Sequence, residues 1–407
     1  MGFAIYKVSK KSVKRAYLIL SLVSNLGILA YFKYSNFIVN SLNDLGCDLQ
    51  TINIFLPIGI SFFTFQTLSY SIDIYRGDLK PEKSILNFAF FVTFFPQLVA
   101  GPIVRAKEFL PQLRQKLHLS NSGFGKAVFL IGNGLFKKAV ISDYISSNFV
   151  DRIFENPNLY SGFENLLGVY GYSLQIYCDF SGYSDLAIGI ALLLGFNLPD
   201  NFNYPYKSSS ITEFWRRWHI SLSSWLKDYL YISLGGNRKG RVRTYINLMI
   251  TMFLGGLWHG ANWKFVFWGA LHGLMLVIEK LTKPYVRLPK NKITKVVGVL
   301  FTFHFVSFCW IFFRAKTYIN AFEIITQIFN NFDVRLIHQV FDSYTGIVLL
   351  IIVGFVLHFK SIKIDKVYTH LLTRAPVFIK ALYLAFICWL FVQLSSSEVI
   401  PFIYFQF

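Results

Sequence analysis

Charge is scarce in this 407-residue chain: 15% of residues are Asp, Glu, Lys or Arg, and acids number 21 against 40 basic residues. Sulfur is scarcer, with four cysteines and four methionines. Cys47, Cys178, Cys309 and Cys388 are widely spaced and form no C-x-x-C pair, and three lie in apolar runs. That excludes a zinc ribbon or a dithiol motif and leaves small core residues. G-x-S-x-G, H-E-x-x-H and the glycine-rich nucleotide fingerprints are all missing, which removes the hydrolase elbow, the metallopeptidase and ATP coupling, and gives no metal site. The opening MGFAIYKVSKKSVKR carries no A-x-A cleavage site, so it reads as a signal anchor or first span. Tyr6 stands where myristoylation requires Ser or Thr. Internal repeats, low-complexity tracts and polar stretches long enough for a soluble domain are absent too.

Apolar residues are abundant: 54% of the chain is hydrophobic, with 44 Phe, 23 Tyr and 8 Trp. A soluble domain has no interior large enough for this, so the chain reads as an all-α polytopic membrane protein forming one integral domain over 1–407. The net charge of +19 does not point to nucleic acid, because the basic residues cluster in short segments between apolar runs, as the positive-inside rule describes. Candidate spans are 16–32, 52–74, 85–101, 127–149, 165–197, 244–258, 263–279, 296–315, 345–359 and 378–395, about ten crossings. Lys7, Lys10, Lys11, Lys14 and Arg15 precede the first span, and the 36–51 loop has no Lys or Arg, which sets the N-terminus in the cytoplasm. Segment 85–101 has basic residues on both flanks and reads as a re-entrant hairpin bent at Pro96 and Gly101-Pro102. Such backbone is tolerated at depth only inside protein or along water.

Two histidines stand out against this apolar background. His259 lies in LGGLWHGANWKFVFW, where Lys264 is the only other ionisable group, and His304 is the only ionisable side chain of VVGVLFTFHFVSFCWIFF. Ionisable groups in such sequence mark a pathway or a reaction centre by default. The basic loops NRKGRVR (Asn237–Arg243) and Lys280–Lys295 bracket 244–279 as a hairpin with His259 near its outer turn. His304, nine residues beyond Lys295, is expected about 13 Å into the membrane. One imidazole is then outer and the other near mid-depth, with a tunnel to join them. A neutral imidazole is a competent general base near neutral pH. Glycines 255, 256 and 260 leave room for close approach, and Asn262 and Trp258 are candidate substrate contacts. The bland reading is a buried histidine bonded to a carbonyl.

His272, thirteen residues past His259, is about 20 Å away along a continuous helix and is expected to be structural. Asp179 and Asp185 of YCDFSGYSDLAIG are expected to brace a tunnel wall or pair with a basic residue on another helix, in preference to relaying protons. His118, His219, His338, His358 and His370 lack such an apolar motif. Residues 206–234 read as an amphipathic interfacial helix opened by a Ser210/Glu213 capping box. Trp215, Trp218, Leu222, Trp225 and Tyr229 fall on its apolar face, with the indoles at headgroup depth. On the other face, Arg216 and Arg217 either serve membrane lipids alone or also meet phosphates of an incoming cofactor, with Trp218 beside them.

NYPYKSSSITEFWRRWHISLSSWLKDYLYISLGGNRKG followed by NLMITMFLGGLWHGANWKFVFWGALHG resembles the signature region of the membrane-bound O-acyltransferases. FWRRWHISLS, the GGNR loop, WIFFRA at Trp310–Ala315 and the terminal PFIYFQF are similar to the bacterial members that acetylate alginate and peptidoglycan. The likeness runs from about Tyr31 to Phe407 and is most specific over about 170–315. It implies a ring of helices around a thinned centre with a tunnel, His259 as the catalytic histidine and His304 as the second, tunnel histidine. It further implies acetyl-CoA or another acyl thioester as a cytoplasmic donor, no permanently bound cofactor, a periplasmic acetyltransferase partner, and a place in the bacterial inner membrane. Relatives of this kind carry further apolar segments ahead of Tyr31, so the chain is expected to have a shortened N-terminus. D-alanyl transfer to teichoic acid from a carrier protein is the nearest alternative. A proton-coupled transporter using the histidines as relays is the alternative of another class.

Overall fold

Apolar runs with helical spacing build helices throughout, and among the described residues there is no strand. The computed structural model describes residues 1–285, 289, 291–360, 362–394 and 402. Part of the Lys280–Lys295 loop and, apart from Phe402, the terminal PFIYFQF lie outside them.

Among the described residues, five helices are long and apolar enough to cross a membrane, six if one bent pair is counted. Helix α1, Lys11–Asn43, contains a π-helical turn at Ala30–Tyr34. The others are α4, Gly162–Leu193; α7, Trp263–Thr282; α8, Lys292–Arg314; and α11, Val377–Leu394. The other segments read from the sequence are helical too, but shorter, broken or bent for local reasons. The 52–74 segment becomes helical only at Ile60, after Gly59 in the left-handed region (φ 77°), giving α2, Ile60–Arg76. The 85–101 segment breaks at Phe94 into Ile85–Thr93 and Phe95–Leu98, and residues 100–106 that follow are buried.

The 127–149 segment runs through α3, Asn121–Leu135, the π-helical Phe136–Asp143 and a second π-helical stretch, Ser146–Val150, with Lys137, Lys138 and Asp143 along it. The 244–258 segment lies in α6, Arg241–His259. The 345–359 segment is α10, Thr345–Phe359, bent by 89° from α9, Leu336–Ser343.

The molecule is organised around α4, 32 residues opened by a capping box in which the Ser161 N–H donates to the Glu164 carboxylate at 2.8 Å. Its buried face carries polar groups, and each aspartate finds a cation on the strand of π-helix beside it. Asp185 accepts from Lys137 Nζ at 2.8 Å and from Asn133 at 2.6 Å, and Asp179 accepts from Lys138 Nζ at 2.6 Å. The expected pairing with a basic residue of another helix is therefore the one observed. On the other side of the core, α6 and α7 form a tight antiparallel hairpin crossing at two glycines. A Cβ on Gly256 would lie 3.2 Å from the Gly269 Cα and run into the Phe265 carbonyl, so only glycine permits this approach.

The continuous amphipathic helix expected at 206–234 is not formed. Ile211–Trp215 ends in a turn, His219 adopts a left-handed conformation (φ 43°), and α5, Ile220–Trp225, starts in a new direction before a π-helical turn at Leu226–Tyr231. The break turns two of the indoles inward: Trp218 and Trp225 are 2% and 7% exposed, packed within the protein core. The Ser210 cap is present, its hydroxyl accepting from Glu213 N–H at 3.1 Å, while the Glu213 carboxylate accepts from Ser209 N–H at 2.9 Å.

Candidate functional site

Helix α6 ends at His259 because Gly260 is extended, and Asn262 then starts α7 by accepting from the Lys264 N–H at 3.0 Å. Asn262, expected to contact substrate, is an exposed helix cap. The His259 ring is 5% exposed and lies edge-on to Trp258 and Trp268, with centroids 5.2 Å away in each case, and to Phe313 at 5.5 Å. Trp258, the other expected contact, packs on Phe62 and Phe65 at 5.4 and 5.3 Å. This is a pocket of aromatic faces that excludes bulk water around one imidazole.

The second imidazole is His219, which the sequence reading passed over. It is fully buried, with its ring 4.6 Å from Phe180 and 6.5 Å from His259. Asn201 fixes its tautomer. The Asn201 Oδ1 accepts from the Ser221 N–H at 3.2 Å, and that unambiguous donor identifies the atom as the oxygen. Nδ1 of His219, 3.1 Å from the same oxygen, must then carry the proton, which leaves Nε2 as the basic nitrogen of the neutral ring. A sequence signal did exist: Trp218-His219 and Trp258-His259 are the same dipeptide. It was masked because helical spacing continued through 219, whereas the backbone turns there.

His304 does not join this pair. It sits on the exposed side of α8, with Leu300 and Phe301, while Thr302, Val306 and Cys309 face inward. Its Nδ1 lies 2.7 Å from its own Leu300 carbonyl, and its ring meets Tyr170 at 5.7 Å. The depth argument fixed only the height of the side chain and left its direction around the helix open.

His272 is nearer to the centre than a continuous helix allows, because the chain reverses at Gly260–Asn262. Trp268 lies between the two histidines, 5.2 Å from His259 and 4.9 Å from His272. The remaining histidines are elsewhere. His118, His338 and His370 are exposed, and buried His358 accepts the Tyr206 N–H at 3.1 Å.

A cavity of about 1860 Å³ opens between the 209–231 segment and the facing ends of α6, α7 and α8. Arg216, Lys227, Lys280, Lys283, Lys292 and Lys295 line it, together with Trp215 and Met252 at apolar positions. Its two carboxylates are already committed. Glu279 accepts from the N–H groups of Ile211 and Thr212 and from the Thr212 hydroxyl, and Glu213 accepts from Arg217 at 2.8 Å. Burial pushes the Glu213 carboxyl up, but the Ser209 N–H and the Arg217 guanidinium outweigh it and hold it below the ordinary range. The lining is thus net cationic. Arg216 is exposed to the cavity, Arg217 is tied to Glu213 and the Asn203 carbonyl, and Trp218 is in the core against Trp310 at 5.0 Å. The three residues expected to act together face three ways. Among the described residues no cluster of His, Cys, Asp or Glu is suited to a metal ion.

The model of the membrane-bound O-acyltransferase family matches residues 79–318. The chain is 45% identical over 322 residues to the probable alginate O-acetylase AlgI of Pseudomonas aeruginosa, covering 77% of this chain and 60% of that protein. Against the protein of the same name in Pseudomonas putida it is 39% identical over 424 residues, covering 96% and 84%. The peptidoglycan O-acetyltransferase of Helicobacter pylori is 38% identical over 365 residues, covering 83% and 69%. The chain therefore spans about three-fifths of the length of the first of these relatives.

Proposed function

Because the chain belongs to the membrane-bound O-acyltransferase family, we propose that it transfers an acyl group, acetyl by analogy with its relatives, from a cytoplasmic thioester to a hydroxyl on the route to an exported cell-envelope polysaccharide. The observation that carries this reading is the pair of buried imidazoles, His219 and His259, with ring centroids 6.5 Å apart inside an aromatic pocket. His259 serves as general base. It takes the proton of the attacking hydroxyl as that oxygen bonds to the thioester carbonyl; the C–S bond breaks, and the proton passes to the departing thiolate. Base catalysis of this kind contributes roughly 10²–10⁴-fold. His219, with Nε2 as its basic nitrogen, serves beside it, and the exclusion of bulk water protects the thioester from hydrolysis.

The cationic cavity suits a donor that carries phosphates, acetyl-CoA or a phosphopantetheine-bearing carrier, with Arg216 and Lys280 among the groups that meet it. A periplasmic acetyltransferase that completes transfer to the polysaccharide is the partner this scheme requires, in a bacterial inner membrane with the N-terminus cytoplasmic.

The test is His259→Ala in the producing bacterium. The expected result is a protein that accumulates in the membrane with O-acetylation of the polysaccharide lost. Unchanged acetylation overturns the proposal, as does proton uptake by vesicles in the absence of any acyl donor.

A further inference from the structure

Helix α6 stops inside the protein, so its last carbonyls have no partner within the helix. Away from water an unpaired carbonyl is expensive. Here the partners come from two consecutive residues of the π-helical turn in α1. The Lys33 ammonium donates to the Trp258 carbonyl at 2.6 Å and lies 3.4 Å from that of His259, and it also reaches Ser61 Oγ at 3.1 Å. The Tyr34 hydroxyl donates to the Leu257 carbonyl at 3.0 Å. Three successive carbonyls, ending at His259 itself, are thus held from one neighbouring helix. A cation at a helix C-terminus is favourable on its own account, since the carbonyl ends carry the negative pole of the helix dipole. A π turn, with its added residue, recurs where a helix must aim particular side chains.

We infer that Lys33, assisted by Tyr34, is a positioning residue for His259, fixing the end of α6 so that the imidazole keeps one direction in its aromatic pocket. The inference rests on reading His259 as the general base. Lys33 touches backbone oxygens and the Trp258 face, 5.8 Å from the ring centroid, and it acts through the helix end.

The experiment compares full-length wild type with Lys33→Met, Lys33→Arg, Tyr34→Phe and His259→Ala in membrane vesicles titrated with radiolabelled acetyl-CoA. The rate of diethylpyrocarbonate labelling of His259 is followed in parallel by mass spectrometry. Lys33→Met is expected to lower kcat at least tenfold with KM for the donor unchanged, and to change the labelling rate of His259 several-fold. Lys33→Arg, which keeps the charge and donors, is expected to recover most of both, and Tyr34→Phe to lower kcat a few-fold. Wild-type kcat and labelling in Lys33→Met overturn the inference, as does a parallel rise in KM that Lys33→Arg does not reverse. If Lys33→Met fails to accumulate, Tyr34→Phe decides, because it removes one hydroxyl and leaves the ammonium; unchanged kcat and labelling there also overturn it. Activity surviving in His259→Ala sinks the base assignment whatever Lys33 does, whereas a dead His259→Ala beside a fully active Lys33→Met sinks the clamp alone.

Discussion

Asn201 shows how much chemistry one neutral side chain can settle. Its oxygen takes two bonds from Ser221, from the N–H at 3.2 Å and the hydroxyl at 2.8 Å, and so has only an acceptor to offer His219. Asn201→Leu removes that acceptor and frees the imidazole to choose its tautomer. The expected outcome is a fall in acyl transfer of tenfold or more with protein levels maintained, measured as O-acetyl content of the polysaccharide. His304→Ala is expected to leave transfer unchanged, since among the described residues that ring hydrogen-bonds within its own helix on an exposed face; a loss comparable to that of His259→Ala would return it to the reaction. At this scale the sequence was half legible. His259 announced itself by being nearly alone among apolar residues, whereas the left-handed turn that aims His219 inward leaves no periodic trace.

At the scale of elements, the α6–α7 hairpin and the braces on α4 are the joints on which the centre depends. Gly269→Val places side-chain atoms against the Met252 carbonyl of α6. Overpacking of this kind costs about 1–3 kcal/mol. The expected result is a lower thermal midpoint for the purified protein together with lost transfer, because the same displacement moves His259.

Asp185→Ala leaves the Lys137 ammonium without its carboxylate; with both side chains 18% exposed, the cost is expected to fall short of the about 3–5 kcal/mol of a fully buried pair. The double variant Lys137→Met/Asp185→Leu is expected to accumulate better than that single one, which thermal unfolding of both will check. A double variant that folds but has lost transfer would assign Asp185 a part in the chemistry. The helices α4, α7 and α8 were legible because their apolar runs are long, interrupted by few charges, and end close to where the helices end. Elsewhere the helix bounds differ from the apolar runs because an apolar window registers composition and is blind to Gly59, to the break at Phe94 and to charges such as Lys137 and Lys138 that are paired inside.

For the whole molecule, acid is the condition that loosens the fold outside the membrane. Burial pushes the Glu82 carboxyl up, but the Ser84 N–H and the Arg114 guanidinium prevail and hold it low, as Ser209 and Arg217 do for Glu213. A carboxyl depressed in the folded state stabilises it at pH above its unfolded value of about 4.3, and that stabilisation disappears as pH falls through the lower folded value. Thermal midpoints are therefore expected to drop on acidification below about pH 4.5. Glu82→Gln should flatten that decline while lowering the midpoint at neutral pH; an identical acid profile in the variant would show that Glu82 contributes nothing to it.

The glycine crossing of α6 and α7 has one more consequence, for the depth at which chemistry takes place. Two backbones in contact cannot slide past one another by a fraction of a turn, so the height of His259 is gauged by where Gly256 meets Gly269. A change in bilayer thickness is expected to be taken up by tilt of α11, whose apolar window is only 11% buried, while α1 stays tied to the end of α6 through Lys33 and Tyr34. The imidazole keeps its altitude while the periphery adjusts, as a keel holds station beneath a hull that rolls.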